Sequence, residues 1–154
     1  MALYFLDTSA LAKRYISEIG SGWVRTLCVS DSIVISAIAL TEMSSVFARR
    51  HREGAISISD RNALIRLFQA HVRQYALVDV DRTILNSAGA LIIQAPATTA
   101  MRSLDAIQLA CGQAFVTRSA ASNLGPLTFV SADLRLLAAA QWAGFATDNP
   151  DIQP

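Results

Sequence analysis

The chain has 154 residues, of which 53% are hydrophobic and 16% charged, with a formal net charge of +1. That length and apolar content suit one substantial core and read as a single domain over 1–154. The near-zero net charge excludes a general electrostatic attraction to nucleic acid, so any such interaction must rest on local clusters.

Apolar runs such as Ile33 to Leu40 fall far short of the roughly 20 residues a spanning helix needs, so no membrane insertion is expected. The N-terminal MALYFLDTSAL lacks a basic leader and a small-residue cleavage site, which makes the cytoplasm the expected location. Cys28 and Cys111 are too few for a disulfide framework and read as reduced, packed thiols. Of the basic residues only Lys13 is Lys and the rest are Arg, which suits bidentate phosphate contacts but equally fits a composition bias.

In chain order, Leu3 to Leu6 is a continuous apolar run, as in a strand buried on both faces of a parallel sheet. It stops at Asp7, after which Thr8 and Ser9 can cap a helix running through Tyr15. A second helix is expected from Ser21 to Val29, a strand at Ile33 to Ile35, and a helix from Ile38 to Arg52 ended by Gly54. Ser57 to Ala76 has the spacing of a long amphipathic helix with Leu64, Leu67, Phe68, Val72 and Tyr75 on one face, followed by a strand at Leu77 to Val80. Helices are expected at 82–95 and 103–117, the latter capped by Ser103, with loops at 96–100 and 119–126. Leu127 to Val130 reads as a strand, Ala132 to Ala143 as a helix closed by Gly144, and Phe145 to Thr147 as an edge strand. Alternating strands and helices imply an α/β fold, with a central, mainly parallel sheet of four to five strands between two helical layers.

In such folds the ligand crevice lies beyond the carboxyl ends of the strands, where Asp7 and Asp133 fall. Each, like Asp105 in RSLDAIQLA, can also be explained as a helix cap or first-turn acid. Glu42 borders the apolar face of its helix and needs a partner there, for which Arg49 is available one face-length on. Four carboxylates sharing one crevice would raise one another's pKa values unless a cation neutralised them. Oxygen-only donors favour Mg²⁺ or Mn²⁺ over Zn²⁺, and no Cys/His cluster has zinc spacing. Such a site suits phosphodiester hydrolysis by a metal-activated water.

Four segments in order, LDTSALAKRY at 6–15, ALTEMSSVFARR at 39–50, RSLDAIQLA at 102–110 and TFVSADLRLLAAA at 128–140, resemble the PIN domain, in particular the VapC-type toxins of toxin–antitoxin pairs. The resemblance implies a PIN-like three-layer α/β/α sandwich and a ribonuclease with Asp7, Glu42, Asp105 and Asp133 as catalytic metal ligands. It implies Ser9 and Ser131 as polar supports, 5′-phosphate and 3′-hydroxyl products, a VapB-like antitoxin partner and a homodimer. Gln108 departs from the His that many relatives carry, without touching the acid set.

Lys13, Arg14, Arg49 and Arg50 are candidate contacts to RNA phosphates or to an antitoxin, although cations at a helix C-terminus also serve its dipole. Two other readings stand beside the nuclease. An aspartyl-phosphate phosphohydrolase would want a second Asp at position 9, where this chain has Ser. A non-catalytic PIN scaffold binding RNA or a protein would use the acids only to engage a basic partner.

Overall fold

The computed structural model describes residues 1–122 and 124–153. Five strands, β1 (Leu3–Leu6), β2 (Ser32–Ser36), β3 (Ala76–Val78), β4 (Leu127–Val130) and β5 (Ala146–Asp148), form one sheet in the order β3-β2-β1-β4-β5. All four pairings are parallel, with Phe5 opposite both Val34 and Phe129. The helices are α1 (Thr8–Ala12), α2 (Ser21–Ser30), α3 (Ala39–Arg52), α4 (Ile58–Val72), α5 (Arg82–Gln94), α6 (Ser103–Ser119) and α7 (Leu134–Trp142), with 3₁₀ turns at Ala120–Ser122 and Pro150–Ile152. The expected architecture is therefore present, with five strands and no antiparallel member.

Because successive side chains of a strand point to opposite faces, each buried strand feeds two cores. Leu3, Phe5, Val34 and Phe129 pack under α5, α6 and α7, where the Phe5 and Phe129 rings stack at 5.0 Å. Leu6, Ile33, Ile35 and Val130 pack under α1 to α4, with Tyr15, Phe47 and Phe68 meeting edge to face. Burial on both faces is why these strands are mostly apolar instead of alternating.

Several local expectations are corrected. Asp7, not Thr8 or Ser9, caps α1: its backbone is still extended and its carboxylate accepts from the Ala10 N–H at 3.0 Å. Helix α1 ends at Ala12, and Lys13 to Tyr15 follow as turns. Helix α4 stops at Val72 and releases Tyr75 into the core before β3 begins at Ala76. On α4 only Phe68 is fully buried, and Leu67 of the expected apolar face is 46% exposed. Arg102 rather than Ser103 occupies the cap position of α6. Of the expected 119–126 loop, residues 120–122 are a 3₁₀ turn and residue 123 lies outside the described residues. No helix among the described residues is long and apolar enough to cross a membrane.

Candidate active site

From β1 the sheet steps outward to β2 and β3 on one side and to β4 and β5 on the other. This reversal of direction opens a crevice beyond the carboxyl ends of β1 and β4, the place where doubly wound sheets bind ligands. Asp7 is the first residue past β1, and its N–H still pairs with the Val130 carbonyl of β4 at 3.1 Å. Its side chain is 6% exposed.

Burial pushes the Asp7 carboxyl up to about 6, against the opposing pull of bonds from the Ala10 N–H, Ser9 and Ser131. Among the described residues no cationic side chain contributes to holding it ionised. Ser9 Oγ donates to Asp7 Oδ1 at 2.8 Å, lies 3.3 Å from Ser131 Oγ, and accepts from the Ala132 N–H at 2.9 Å. Ser131 Oγ in turn accepts from the Asp133 N–H at 3.0 Å. Ser9 and Ser131 thus stitch the first turn after β1 to the loop after β4, and Asp7 to the backbone of Asp133.

Glu42 sits in the first turn of α3 and is half-buried beside Met43, as its helical position requires. Its partner is not Arg49, which reaches Glu53 instead at 4.0 Å. Glu42 Oε2 accepts from Thr8 Oγ1 and, at 3.1 Å, from Gln108 Nε2. Thr8 is therefore no cap: lying inside α1, it turns its hydroxyl across to α3. Gln108 is 3% exposed on α6, one turn beyond Asp105. Its signal in the sequence is a long polar side chain on the face of Asp105 within an otherwise apolar run, at the position already noted as departing from the His of many relatives, but being no acid it carries no expected role.

The remaining acids are engaged locally. Asp105 Oδ2 accepts from the Arg102 N–H at 3.0 Å. Asp133 caps α7 through the Arg135 and Leu136 N–H groups, and its other oxygen lies 3.3 Å from the Arg135 guanidinium. Partial burial pushes the Asp133 carboxyl up, but these bonds and the Arg135 charge outweigh it and hold the group below its ordinary value. Among the described residues, no three of the acids, histidines and cysteines are gathered closely enough to hold one ion. What links the four acids runs through neutral side chains: Asp7 is joined through Ser9 and Ser131 to the Asp133 N–H, and Glu42 to Gln108, one turn beyond Asp105 on α6.

The donor chemistry fits a hard divalent cation. It comprises carboxylates and hydroxyls with one amide, without thiol or imidazole, around a buried anion that hydroxyls support but, among the described residues, no cationic side chain offsets. The carbonyl oxygen of Gln108 is also buried without a partner.

Two basic candidates are corrected. Lys13 is 5% exposed, and its ammonium contacts Asp151 at 2.7 Å, Glu18 at 3.5 Å and the Ile19 carbonyl at 2.9 Å. A cation so fully engaged has nothing left for a phosphate. Arg14 lies over the Tyr75 ring, 5.6 Å from its centroid, and donates to the Tyr75 hydroxyl. Tyr75 precedes β3, so Arg14 faces the amino ends of the strands and away from the crevice. Arg49 and Arg50 line a cavity of about 420 Å³ together with Thr8, Ser9, Ala132 and the already engaged Lys13. Arg50 pairs with Glu18 at 3.2 Å, while the Arg49 side chain is 59% exposed.

No family model and no curated protein matches the sequence. Solved structures do match. FitAcB from Neisseria gonorrhoeae superposes with a TM-score of 0.70 at 17% identity, covering 98% of this chain and 100% of that one. DNA-bound VapBC from Salmonella typhimurium gives 0.64 at 16%, over 97% and 99%. VapC20 from Mycobacterium tuberculosis, described as a sarcin–ricin loop cleaving toxin, gives 0.62 at 16%, over 98% and 99%. The chain has the PIN-domain fold of VapC-type toxins. In this PIN fold the crevice at β1 and β4 is the place where strand order and buried charge coincide.

Proposed function

We propose that this chain is a Mg²⁺- or Mn²⁺-dependent endoribonuclease of the VapC type, acting at the carboxyl ends of β1 and β4. The observation that carries the proposal is Asp7: a carboxylate 6% exposed, at the switch point of the sheet, with no cationic side chain among the described residues holding it ionised. Burying an uncompensated anion is costly, and sites that tolerate it are ones where a ligand supplies the missing charge.

Asp7, Glu42, Asp105 and Asp133 are the residues that would hold the cation. When bound, such a cation offsets the carboxylates and acidifies the attacking water. The protein's own part is orientation. Ser9 fixes the Asp7 carboxylate and ties it to Ala132, while Ser131 holds the turn that presents Asp133. Arg49, exposed on the cavity wall, is placed to meet an RNA phosphate, and Arg50 flanks it. Hydrolysis would leave a 5′-phosphate and a 3′-hydroxyl. A cytoplasmic toxin of this kind would act as a homodimer and pair with a VapB-like antitoxin, the pairing being supported by neighbours that are themselves toxin–antitoxin complexes.

The test is cleavage of structured RNA by the purified chain with Mg²⁺ or Mn²⁺, with EDTA, and with the Asp105→Asn variant. Activity should vanish in EDTA and return when excess metal is added, and Asp105→Asn should remain inactive throughout. Cleavage that persists in EDTA, or full activity in Asp105→Asn, would overturn the proposal. Ser9→Ala should lower cleavage by about 10-fold to 100-fold without abolishing it, the usual cost of losing a group that orients a ligand.

The second reading, a non-catalytic scaffold whose acids meet a basic partner, is favoured by one observation: no three acids among the described residues form a single group. A chain that binds RNA or an antitoxin but neither takes up Mn²⁺ nor cleaves would establish it.

A further inference from the structure

We propose that Gln108, together with Thr8, is a positioning residue that clamps Glu42 so that one carboxylate oxygen is committed to the protein and the other is left for a cation. The inference rests on the reading of Glu42 as a metal ligand.

Both donors converge on the same atom. Glu42 Oε2 accepts from Thr8 Oγ1 and from Gln108 Nε2, and Gln108 Nε2 also lies 3.3 Å from Thr8 Oγ1. Three elements are pinned by this triangle: the helix after β1, the helix after β2, and α6, which carries Asp105. Glu42 Oε1 takes no bond from the described residues, and Glu42 lines a cavity with Thr8, Ile38, Arg49 and Leu104. A carboxylate held by one oxygen has a defined direction for the other, which is what a ligand group requires from its supports.

The second observation is the other end of the amide. Gln108 Oε1 is buried and has no partner, in a side chain only 3% exposed. The opposite amide orientation would set this carbonyl against the Glu42 carboxylate, so the recorded one is dictated by Glu42. A glutamine that served the core would have both ends satisfied, because a dry, unpaired carbonyl destabilises the fold. Here the amide's only service is the two bonds from Nε2, and both lead to the site. Local rules are broken most often where function requires it.

Gln108→Leu removes both donor and orphan carbonyl while keeping the bulk, Thr8→Val removes the second donor, and Gln108→His offers an imidazole N–H in place of the amide. The measurements are Mn²⁺ affinity of the full chain, from electron paramagnetic resonance of free Mn²⁺, and thermal unfolding of the metal-free protein. Gln108→Leu and Thr8→Val should each weaken Mn²⁺ by about 10-fold to 100-fold. Gln108→Leu should melt no lower than the unsubstituted chain, and Gln108→His should recover most of the affinity. Unchanged affinity in Gln108→Leu and Thr8→Val, or a loss matched by a fall in melting temperature, would overturn the inference and leave the metal reading intact. An unsubstituted chain that takes up no Mn²⁺ would overturn that reading, and the inference with it.

Discussion

Asp7→Asn should produce a protein that is more stable and far less active. Asn keeps the oxygen that accepts from Ala10 and Ser9, and it is as good a helix cap as Asp, so α1 should still start at the same residue. It removes a charge that is buried without compensation. Burial pushes the Asp7 carboxyl from 3.8 up to about 6. At pH 7 the folded chain must therefore carry an anion that the unfolded chain carries at lower cost, a difference of about 3 kcal/mol. Relief of that cost should raise the melting temperature of the metal-free variant by about 6–12 °C for a chain of this size.

The pH dependence gives this expectation a sign of its own. A group whose folded pKa lies above its unfolded value binds more protons when folded, so its contribution favours the fold at low pH and weakens it as pH rises. For Asp7 the loss runs from about 4 to about 6 and is complete above that. Denaturant titrations across this window should show stability falling with pH in the unsubstituted chain and a flatter profile in Asp7→Asn. RNA cleavage, by contrast, should fall by about 10²-fold to 10³-fold, the loss typical of removing one electrostatic contact to a transition state. Stability gained and activity lost at one position is the signature of a site held ready for a cation. A variant less stable at pH 7 than the unsubstituted chain would show that Asp7 is an ordinary structural cap.

Gly20→Ala should be the most damaging single methyl in the protein. Gly20 caps α2 with φ of 78°, in the left-handed region, and a Cβ there would lie 2.1 Å from the Pro150 carbonyl oxygen and 2.6 Å from its carbon. The left-handed conformation alone costs an alanine about 1–2 kcal/mol. The backbone contact cannot be relieved by a rotamer change, so the Pro150–Ile152 turn must move away from α2, adding about 1–3 kcal/mol. That turn carries Asp151, which sits 2.7 Å from the buried Lys13 ammonium, so moving it also exposes Lys13 to the loss of its nearest partner. The total should reach about 3–5 kcal/mol, or roughly 10 °C or more in melting temperature. Gly54→Ala is the control: it has φ of 73° but open space around the added carbon, and should cost only the conformational part. Equal losses at the two positions would mean that the Pro150 contact contributes nothing.

The strands were legible because a buried parallel strand has a local signature: Leu3–Leu6 is a continuous apolar run and Leu127–Val130 is apolar but for Thr128, and they form strands with those bounds. Asp7 and Asp133 could be placed from the same signature, since Asp7 follows its strand directly and Asp133 comes three residues after Val130. What the sequence could not disclose was which distant residues meet. The Ser9 and Ser131 hydroxyls are 122 positions apart, Gln108 and Glu42 are 66 apart, and no periodicity relates them. Lys13 looked like a free cation because its partner Asp151 lies at the other end of the chain. Arg49 looked like the partner of Glu42 because it was the only cation on the right helix face, whereas the fold supplies neutral donors from two other helices. Thr8 was read as a cap because hydroxyls usually are, but Asp7 had already taken that position.

The central claim is that the buried carboxylate at the end of β1 anchors a divalent cation. Its most direct test is a Mn²⁺ titration of the full chain at pH 7, followed by electron paramagnetic resonance, on the unsubstituted protein and on Asp7→Asn. Saturable binding to the unsubstituted chain with none detectable in the variant is the expected result. Equal binding to both, or none to either, would contradict it.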